Sequence, residues 1–238
     1  MAGHSKWANI KHKKAAMDAK RGKAFTRITK EITVAARVGG GDLAANPRLR
    51  QLVDKARAVN MPMDNVNRAI KRGTGELPGV NYEAHLYEGY GPYGVAVIVE
   101  ALTDNKNRTV ADVRRLFSSS GGSLGEGGSV SWMFEKLGVV RTQKTDISED
   151  QLLEKLLDFD VRDISRDEDT FVITCEPKSL EPIKQELESA GIVIENAELE
   201  WVANNPANLD DTQTEKAIAF LDELEEHDDV QNVYANLA

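Results

Sequence analysis

Cysteine and histidine are scarce in this chain of 238 residues, which contains one Cys and four His. A single thiol, Cys175, cannot form an internal disulfide, and such low cysteine usage is typical of a reducing compartment. With so few of these ligand types, the sequence predicts no metal site. It also contains no recognisable group of nucleophile, base and orienting residue. We therefore predict a non-enzyme with no catalytic residues and no cofactor.

Long hydrophobic runs are absent as well. The longest strictly apolar stretch lies around Val95 to Val99, whereas a membrane span needs about 20 such residues. Lys6 and Trp7 stand where a secretory signal would need an apolar block. These features predict a soluble, cytoplasmic protein without membrane partners.

A net positive charge is confined to the first part of the chain. Residues 1–72 hold 17 Lys and Arg against five Asp and Glu, a net charge of +12. Residues 73–238 hold 13 against 34, a net charge of −21, and the whole chain carries −9. This asymmetry is typical of a polyanion-binding module attached to an acidic body.

The first 30 residues carry the densest positive charge, nine Lys and Arg against the single acid Asp18. Phosphate neutralisation needs many cations on one surface, so we predict that this segment contacts a nucleic-acid backbone. Trp7 either stacks on a base or anchors the segment. A solvated helix face is the alternative explanation of the charge. The candidate nucleic-acid-binding residues are Lys6, Trp7, Lys11, His12, Lys13, Lys14, Lys20, Arg21, Lys23, Arg27 and Lys30.

Apolar residues at helical spacing predict three helices in this region. Phe25, Ile28 and Ile32 form a stripe on a helix that ends near residues 39–41. Its basic residues fall on the opposite face, which predicts a helix with one packed and one cationic side. Two more helices start at Pro47 and Pro62, where proline suits a first turn, and glycines follow from Gly73. We predict a basic helical domain over residues 1–78.

Strand and helix patterns alternate after residue 79. The order β-α-β-β-α-β over residues 138–195 is that of a ferredoxin-like unit. The last strand predicted for this unit covers residues 193–195. Strand patterns at residues 93–102 and 129–134 before the unit, and at 198–202 and 230–234 after it, give the same order a second time, with one helix between the strands of each pair. The predicted fold is therefore α+β and multidomain, with an N-terminal helical domain and two ferredoxin-like α/β domains, one inserted in the other. The predicted α/β domains cover residues 79–136 with 199–238, and 137–198; two sequential units split near Leu137 are the alternative.

Two glycine-rich stretches and one acidic cluster resemble binding sites. Residues 118–132 lack the Lys-Ser/Thr ending of a phosphate loop and precede a strand, so we predict a flexible connection. The tyrosines of residues 87–94 either pack the sheet, which we favour, or form an exposed stacking surface. The acids between Asp222 and Asp229 predict a solvated helix end, and the acidic α/β domains offer a surface for a protein partner.

Four stretches carry a family resemblance: MAGHSKWANIKHKKAAMDAKRGKAFTR, NPRLRQLVDKARAVNMPMDNVNRAIKRGTG, YEGYGPYGVAVIVEALTDNKNRT and GGSLGEGGSVSWMFE. They resemble the YebC/PmpR family of probable transcriptional regulatory proteins, which is related to the mitochondrial translational activator of cytochrome c oxidase. The resemblance implies three domains, one helical and two α/β, and a cytoplasmic DNA-binding regulator. Bacterial members are also connected to translation on the ribosome, so the resemblance leaves DNA and RNA both open.

The sequence thus supports a leading hypothesis and an alternative. The first is a non-enzymatic, DNA-binding regulator of transcription that uses its basic N-terminal helical domain. The second is a ribosome-associated translation factor that binds ribosomal RNA, because long cationic segments also suit irregular folded RNA. An enzyme that binds a nucleotide at residues 121–128 is a third, weaker class.

Overall fold

A computed structural model describes residues 21–167 and 170–237. These residues form two compact units, one made of residues 21–130 with 209–233 and the other of residues 131–208 with 234–237. None of the helices in the described ranges is both long and apolar enough to cross a membrane.

The first unit begins with three helices, α1 (Arg21–Gly39), α2 (Pro47–Ala58) and α3 (Met63–Thr74). Asn46 caps α2 by accepting a hydrogen bond from the Leu49 amide at 3.0 Å, and Gly75 ends α3 in the left-handed conformation. Their apolar stripes meet in one core that contains Ile28, Ile32 and Leu52. The helices predicted from Phe25, Pro47 and Pro62 are therefore present.

Helices α1 and α3 approach each other closely at Gly73. A Cβ atom at this position would lie 2.4 Å from the Thr33 carbonyl oxygen and 2.7 Å from the Ala36 Cβ atom. Only glycine fits this contact without displacing α1. The helical core therefore depends on the absence of a side chain at residue 73.

The remaining elements form two four-stranded sheets with four helices. The strands are β1 (Glu83–Tyr90), β2 (Ala96–Thr103), β3 (Ser123–Leu124), β4 (Phe134–Thr142), β5 (Val161–Asp167), β6 (Thr170–Cys175), β7 (Ile194–Ala203) and β8 (Val230–Ala235). The helices are α4 (Lys106–Ser119), α5 (Glu149–Leu156), α6 (Leu180–Ser189) and α7 (Asp211–Glu225). The α+β multidomain fold expected from the sequence is confirmed.

The first sheet has the strand order β3-β1-β2-β8. Strand β2 is almost entirely buried, since Val97, Ile98 and Val99 are each 0% exposed. Helices α4 and α7 contact each other through Phe117 and Phe220, whose rings meet edge to face at 5.0 Å. The sheet takes three strands from before the second sheet and one from after it.

The second sheet has the order β5-β6-β4-β7 with antiparallel pairings, which is the ferredoxin-like arrangement. Its core contains Leu152 and Leu156 of α5, Ile183 and Leu187 of α6, and Phe171 of β6. A reciprocal capping box of Ser148 and Gln151 starts α5. The predicted β-α-β-β-α-β order is correct for this sheet.

The first sheet differs from the predicted order because it starts with a β1–β2 hairpin. No strand was predicted over residues 83–90, because they contain few apolar residues and end in the glycine-rich stretch of residues 87–94. Gly89 is needed because a Cβ atom there would lie 2.5 Å from the Ser123 carbonyl oxygen of β3. The strand predicted over residues 129–134 is instead a short 3₁₀ turn, Ser131–Met133, followed by β4. The predicted second copy of the ferredoxin-like order was therefore wrong in detail.

Two predicted domain limits fall within continuous strands. The limit between residues 136 and 137 lies in β4, and that between 198 and 199 lies in β7. Residues 193–195 and 198–202 were predicted as separate strands, but β7 is one strand that pairs with β4 from Phe134 to Thr142. A break in the apolar alternation of β7 made one long strand look like two.

Candidate nucleic-acid interface

The eleven predicted contact residues divide into three groups by position. Seven lie outside the described residues: Lys6, Trp7, Lys11, His12, Lys13, Lys14 and Lys20. Arg21 is the first residue of α1. Lys23, Arg27 and Lys30 follow on α1, one helical turn apart, and their partners are defined.

These three cations point toward the end of α7 and the turn that leads into β8. The Lys23 ammonium donates to the Glu226 main-chain oxygen and lies 3.1 Å from the Glu226 carboxylate. The Arg27 guanidinium donates to the Glu225 main-chain oxygen. Because helix C-termini carry partial negative charge on their unpaired carbonyl groups, cations are stabilised at this position.

Lys30 and Asp229 form the most deeply buried of the contacts that α1 makes through Lys23, Arg27 and Lys30. The Lys30 Nζ atom lies 2.7 Å from Asp229 Oδ1 and 2.9 Å from the Asp228 main-chain oxygen. Their side chains are 9% and 5% exposed, respectively. An ammonium with this little exposure does not present its charge to an external phosphate.

Asp229 is surrounded by further donors on its second carboxylate oxygen. Thr109 Oγ1 donates to Oδ2 at 2.7 Å, Arg108 at 2.8 Å and Thr103 Oγ1 at 3.1 Å. Burial alone would raise the pKa of Asp229, but hydrogen bonds from Lys30, Arg108 and Thr109 lower this pKa by more, so it lies below its ordinary value. The carboxylate is therefore ionised in the folded protein and fixes α1 to the first sheet.

The cationic face of α1, which the sequence predicted to contact a nucleic-acid backbone, thus packs on an acidic turn of the same chain through Lys23, Arg27 and Lys30. The predicted solvated helix end is also wrong for Glu225 and Asp229, which are 8% and 4% exposed. Sequence reasoning placed the two charge clusters correctly on their own elements. It missed that they neutralise each other, because the partners are about 200 positions apart and no local pattern connects them.

Accessible positive charge in the described part of the helical domain lies on α2 and α3. Three exposed cations, Arg50, Lys71 and Arg72, have no side-chain hydrogen bond or ion pair to any residue that the structure describes. Others hold weak surface contacts, such as Arg57 with Asp54 at 2.9 Å and Arg48 with Glu31 at 2.8 Å. Exposed pairs of this kind contribute little and exchange readily for phosphate.

The glycine-rich connection of residues 120–130 is fastened to β1. The buried Glu88 carboxylate accepts hydrogen bonds from the Gly128 amide at 2.9 Å and the Val130 amide at 3.0 Å. The Glu88 main-chain oxygen accepts from the Gly125 amide at 2.8 Å. These amides are therefore occupied by an internal carboxylate and are not offered to a phosphate, and the predicted flexible connection is anchored along its second half.

Other reactive groups in the described residues do not assemble into a site. No cluster of three or more His, Cys, Asp or Glu side chains suited to a metal occurs within residues 21–167 and 170–237. The Cys175 thiol is buried, and this burial raises its pKa to about 11, so the unreactive thiol form dominates at neutral pH.

The comparisons with known proteins agree with this organisation. Residues 5–76 match the model of the TACO1/YebC protein N-terminal domain, and residues 82–237 match that of the TACO1/YebC second and third domain. A probable transcriptional regulatory protein of Chlorobaculum tepidum is 56% identical over 238 residues, which cover 100% of this chain and 95% of the relative. A protein of the same description from Geobacter sulfurreducens is 51% identical over 99% of this chain and 95% of the relative.

A solved structure gives the same fold. The crystal structure of a conserved hypothetical protein from Aquifex aeolicus superposes with a TM-score of 0.87 at 45% sequence identity, over 98% of this chain and 97% of that protein. Together with the domain matches, these similarities show that the chain belongs to the TACO1/YebC family, whose curated members compared above are named probable transcriptional regulatory proteins.

Proposed function

We propose that this protein is a non-enzymatic, cytoplasmic regulator of transcription that binds DNA through its basic N-terminal helical domain. The observation that carries the proposal is the charge division, a net charge of +12 on residues 1–72 against −21 on the rest. A polyanion is the ligand class that such a surface attracts. The names of the relatives support a regulatory role.

The interface that we propose has two parts. The first is the N-terminal segment with Lys6, Trp7, Lys11, His12, Lys13, Lys14, Lys20 and Arg21. The second is the exposed surface of α2 and α3 with Arg50, Lys71 and Arg72, which retain no described partner. Lys30 is left out because it is buried against Asp229, and Lys23 and Arg27 contribute only after they leave their α7 partners.

The test is a salt titration of DNA binding by the full chain, followed by fluorescence anisotropy. Neutralising Arg50, Lys71 and Arg72 to Gln removes three phosphate contacts, so we expect the slope of log K against log salt to fall by about 2 to 3. A matched control neutralises Lys178, Lys184 and Lys216, which lie on the acidic α/β elements. Equal loss in both variants would contradict the assignment of the interface.

The RNA alternative predicts the same salt dependence but a different distribution in the cell. Recovery of the chain with ribosomes at moderate salt, and weak recovery on promoter DNA, would replace transcription by translation as the process that it regulates. Failure to bind either nucleic acid at low salt would overturn the proposal as a whole.

A further inference from the structure

Tyr93 has an unusual backbone conformation at the tip of the β1–β2 hairpin. Its φ and ψ angles are 60° and 21°, and the following Gly94 has a φ of 76°. Two consecutive residues with positive φ suit a tight hairpin turn, where Asn, Asp and Gly are the usual residues. A bulky residue is disfavoured in this region because its Cβ atom crowds the backbone.

The chain itself provides the contrast. Among the described residues, one other non-glycine position has a positive φ, and it is Asn60 at 57°. The tip of the hairpin therefore retains a tyrosine where an asparagine would be relaxed. Strain of this kind persists when packing or function favours the residue.

Packing does not account for Tyr93, because 45% of the residue is exposed. A second aromatic residue nearby in the chain, Tyr90, is 37% exposed, and its hydroxyl donates to the Ser129 main-chain oxygen at 3.3 Å. By contrast Tyr87, three positions before Tyr90 in β1 and therefore on the opposite face of the strand, is only 7% exposed. The prediction that these tyrosines pack the sheet is therefore correct for Tyr87, whereas Tyr90 and Tyr93 are exposed.

The turn that presents Tyr93 is held firmly. Gly91 packs so closely on Phe220 of α7 that a Cβ atom would lie 2.6 Å from the ring, and the Gly91 amide donates to the Val95 main-chain oxygen at 2.7 Å. A Cβ atom added at Gly94 would meet nothing within 4 Å. The tip is therefore a rigid support next to open space, which is what a stacking platform requires.

We propose that Tyr93 stacks on an unpaired base of a bound nucleic acid. The inference rests on the proposed function, since the helical domain in the same compact unit would hold the phosphates. A base within a regular duplex cannot reach an aromatic ring, so the ligand class is a single strand, a loop or a locally opened duplex. A ring on a protruding tip suits one flat base better than a proline-rich peptide, which needs a groove between several aromatic residues.

The test separates stacking from phosphate binding. The full chain is titrated with a labelled strand of about 12 nucleotides and with an abasic strand of equal length, which carries the same phosphates but no bases. We expect the base-containing strand to bind about five- to a hundredfold more tightly, the range for one or two stacked bases. Tyr93→Asn should abolish most of this preference and leave binding of the abasic strand unchanged.

A stability measurement and one further variant keep the result interpretable. Tyr93→Asn relaxes the turn, so its Tm should rise by about 2–4 °C, which excludes misfolding as the cause of weaker binding. Tyr93→Phe keeps the ring and should bind the base-containing strand within about twofold of the wild type, because stacking is a property of the π face.

Each outcome decides a different question. Tight and equal binding of both strands would overturn the stacking site and leave the proposed function intact. Binding of neither strand at low salt, while duplex DNA is still bound, would also overturn the stacking site alone, whereas loss of binding to duplex DNA and to both strands would overturn the proposed function. Equal binding of both strands, together with Tyr93-dependent binding of a proline-rich peptide, would assign the surface to a protein ligand and also overturn the inference.

Discussion

The Lys30 ammonium and the Asp229 carboxylate form a buried ion pair at 2.7 Å across 199 positions of sequence. It joins α1, the first described helix of the basic domain, to the turn before β8, the last strand of the first sheet. Because both groups are removed from water, loss of either one would leave the other as an unpaired buried charge, which destabilises the fold. The most cationic described helix is therefore fixed by the acidic part of the protein.

Removal of the Lys30 charge should destabilise the protein strongly. In Lys30→Met the Asp229 carboxylate stays buried and loses one of its two cationic partners, so we expect a loss of about 3 kcal/mol in the free energy of unfolding. Arg57→Met is the matched control, because Arg57 pairs with Asp54 on the surface and its loss should cost less than about 1 kcal/mol. Urea unfolding at neutral pH measures both. Similar losses in the two variants would contradict a special role of the buried pair.

The same carboxylate predicts how stability depends on pH. The pKa of Asp229 is lower in the folded chain than its ordinary value of 3.8, so its contribution to stability is fully present above pH 3.8 and is lost as the pH falls from there through the lower pKa of the folded chain. The difference in unfolding free energy between the wild type and Asp229→Asn should be largest at pH 7 and should shrink below about pH 4. Unfolding curves at neutral and acidic pH test this. A difference that stays constant into the acidic range would mean that Asp229 is not ionised in the folded protein.

Overpacking at Gly73 should loosen the helical domain. Gly73→Ala places a Cβ atom 2.4 Å from the Thr33 carbonyl oxygen, and the required shift of α1 should cost about 1–3 kcal/mol. Gly22→Ala is the control, since a Cβ atom at Gly22 meets nothing within 4 Å and alanine favours the helix. We expect a lower Tm for the first variant and an unchanged or slightly higher Tm for the second. A stable Gly73→Ala protein would show that the two helices separate easily.

The anchor of the glycine-rich connection is also testable. Glu88→Ala leaves the Gly128 and Val130 amides without their buried acceptor, which should cost about 1–3 kcal/mol and free residues 125–130. Hydrogen exchange of this segment should become faster. Glu126→Gln, which removes an exposed acid of the same segment, should leave the exchange unchanged. Slow exchange in Glu88→Ala would show that other contacts hold the connection.

Local periodicity predicted much of the fold and little of the interface geometry. The apolar stripe of Ile28 and Ile32 located α1 correctly, and the order of strand and helix patterns over residues 138–195 predicted the second sheet. Strand β1 was missed because its few apolar residues and Gly89 do not form a strand pattern. Gly89 is required by the close approach of the neighbouring strand β3, which the local sequence does not reveal. The acidic partners of α1 were missed for the same reason, since ion pairs between distant elements leave no periodic signal.

Glu226 and a nucleic acid should compete for Lys23. Lys23 is held by Glu226, whose side chain is 57% exposed, so this pair is weaker than the buried one and its cation is the easiest to release. Glu226→Gln should raise the affinity for a nucleic acid by about two- to fivefold at low salt, because Lys23 then gains an alternative anionic partner at lower cost. Glu223→Gln, an exposed position of α7 three residues before Glu226, changes the net charge equally and serves as the control. Equal gains in both variants would mean that the affinity depends only on the net charge of the protein. A gain confined to Glu226→Gln would show that the acidic turn and the nucleic acid bind the same cation, Lys23.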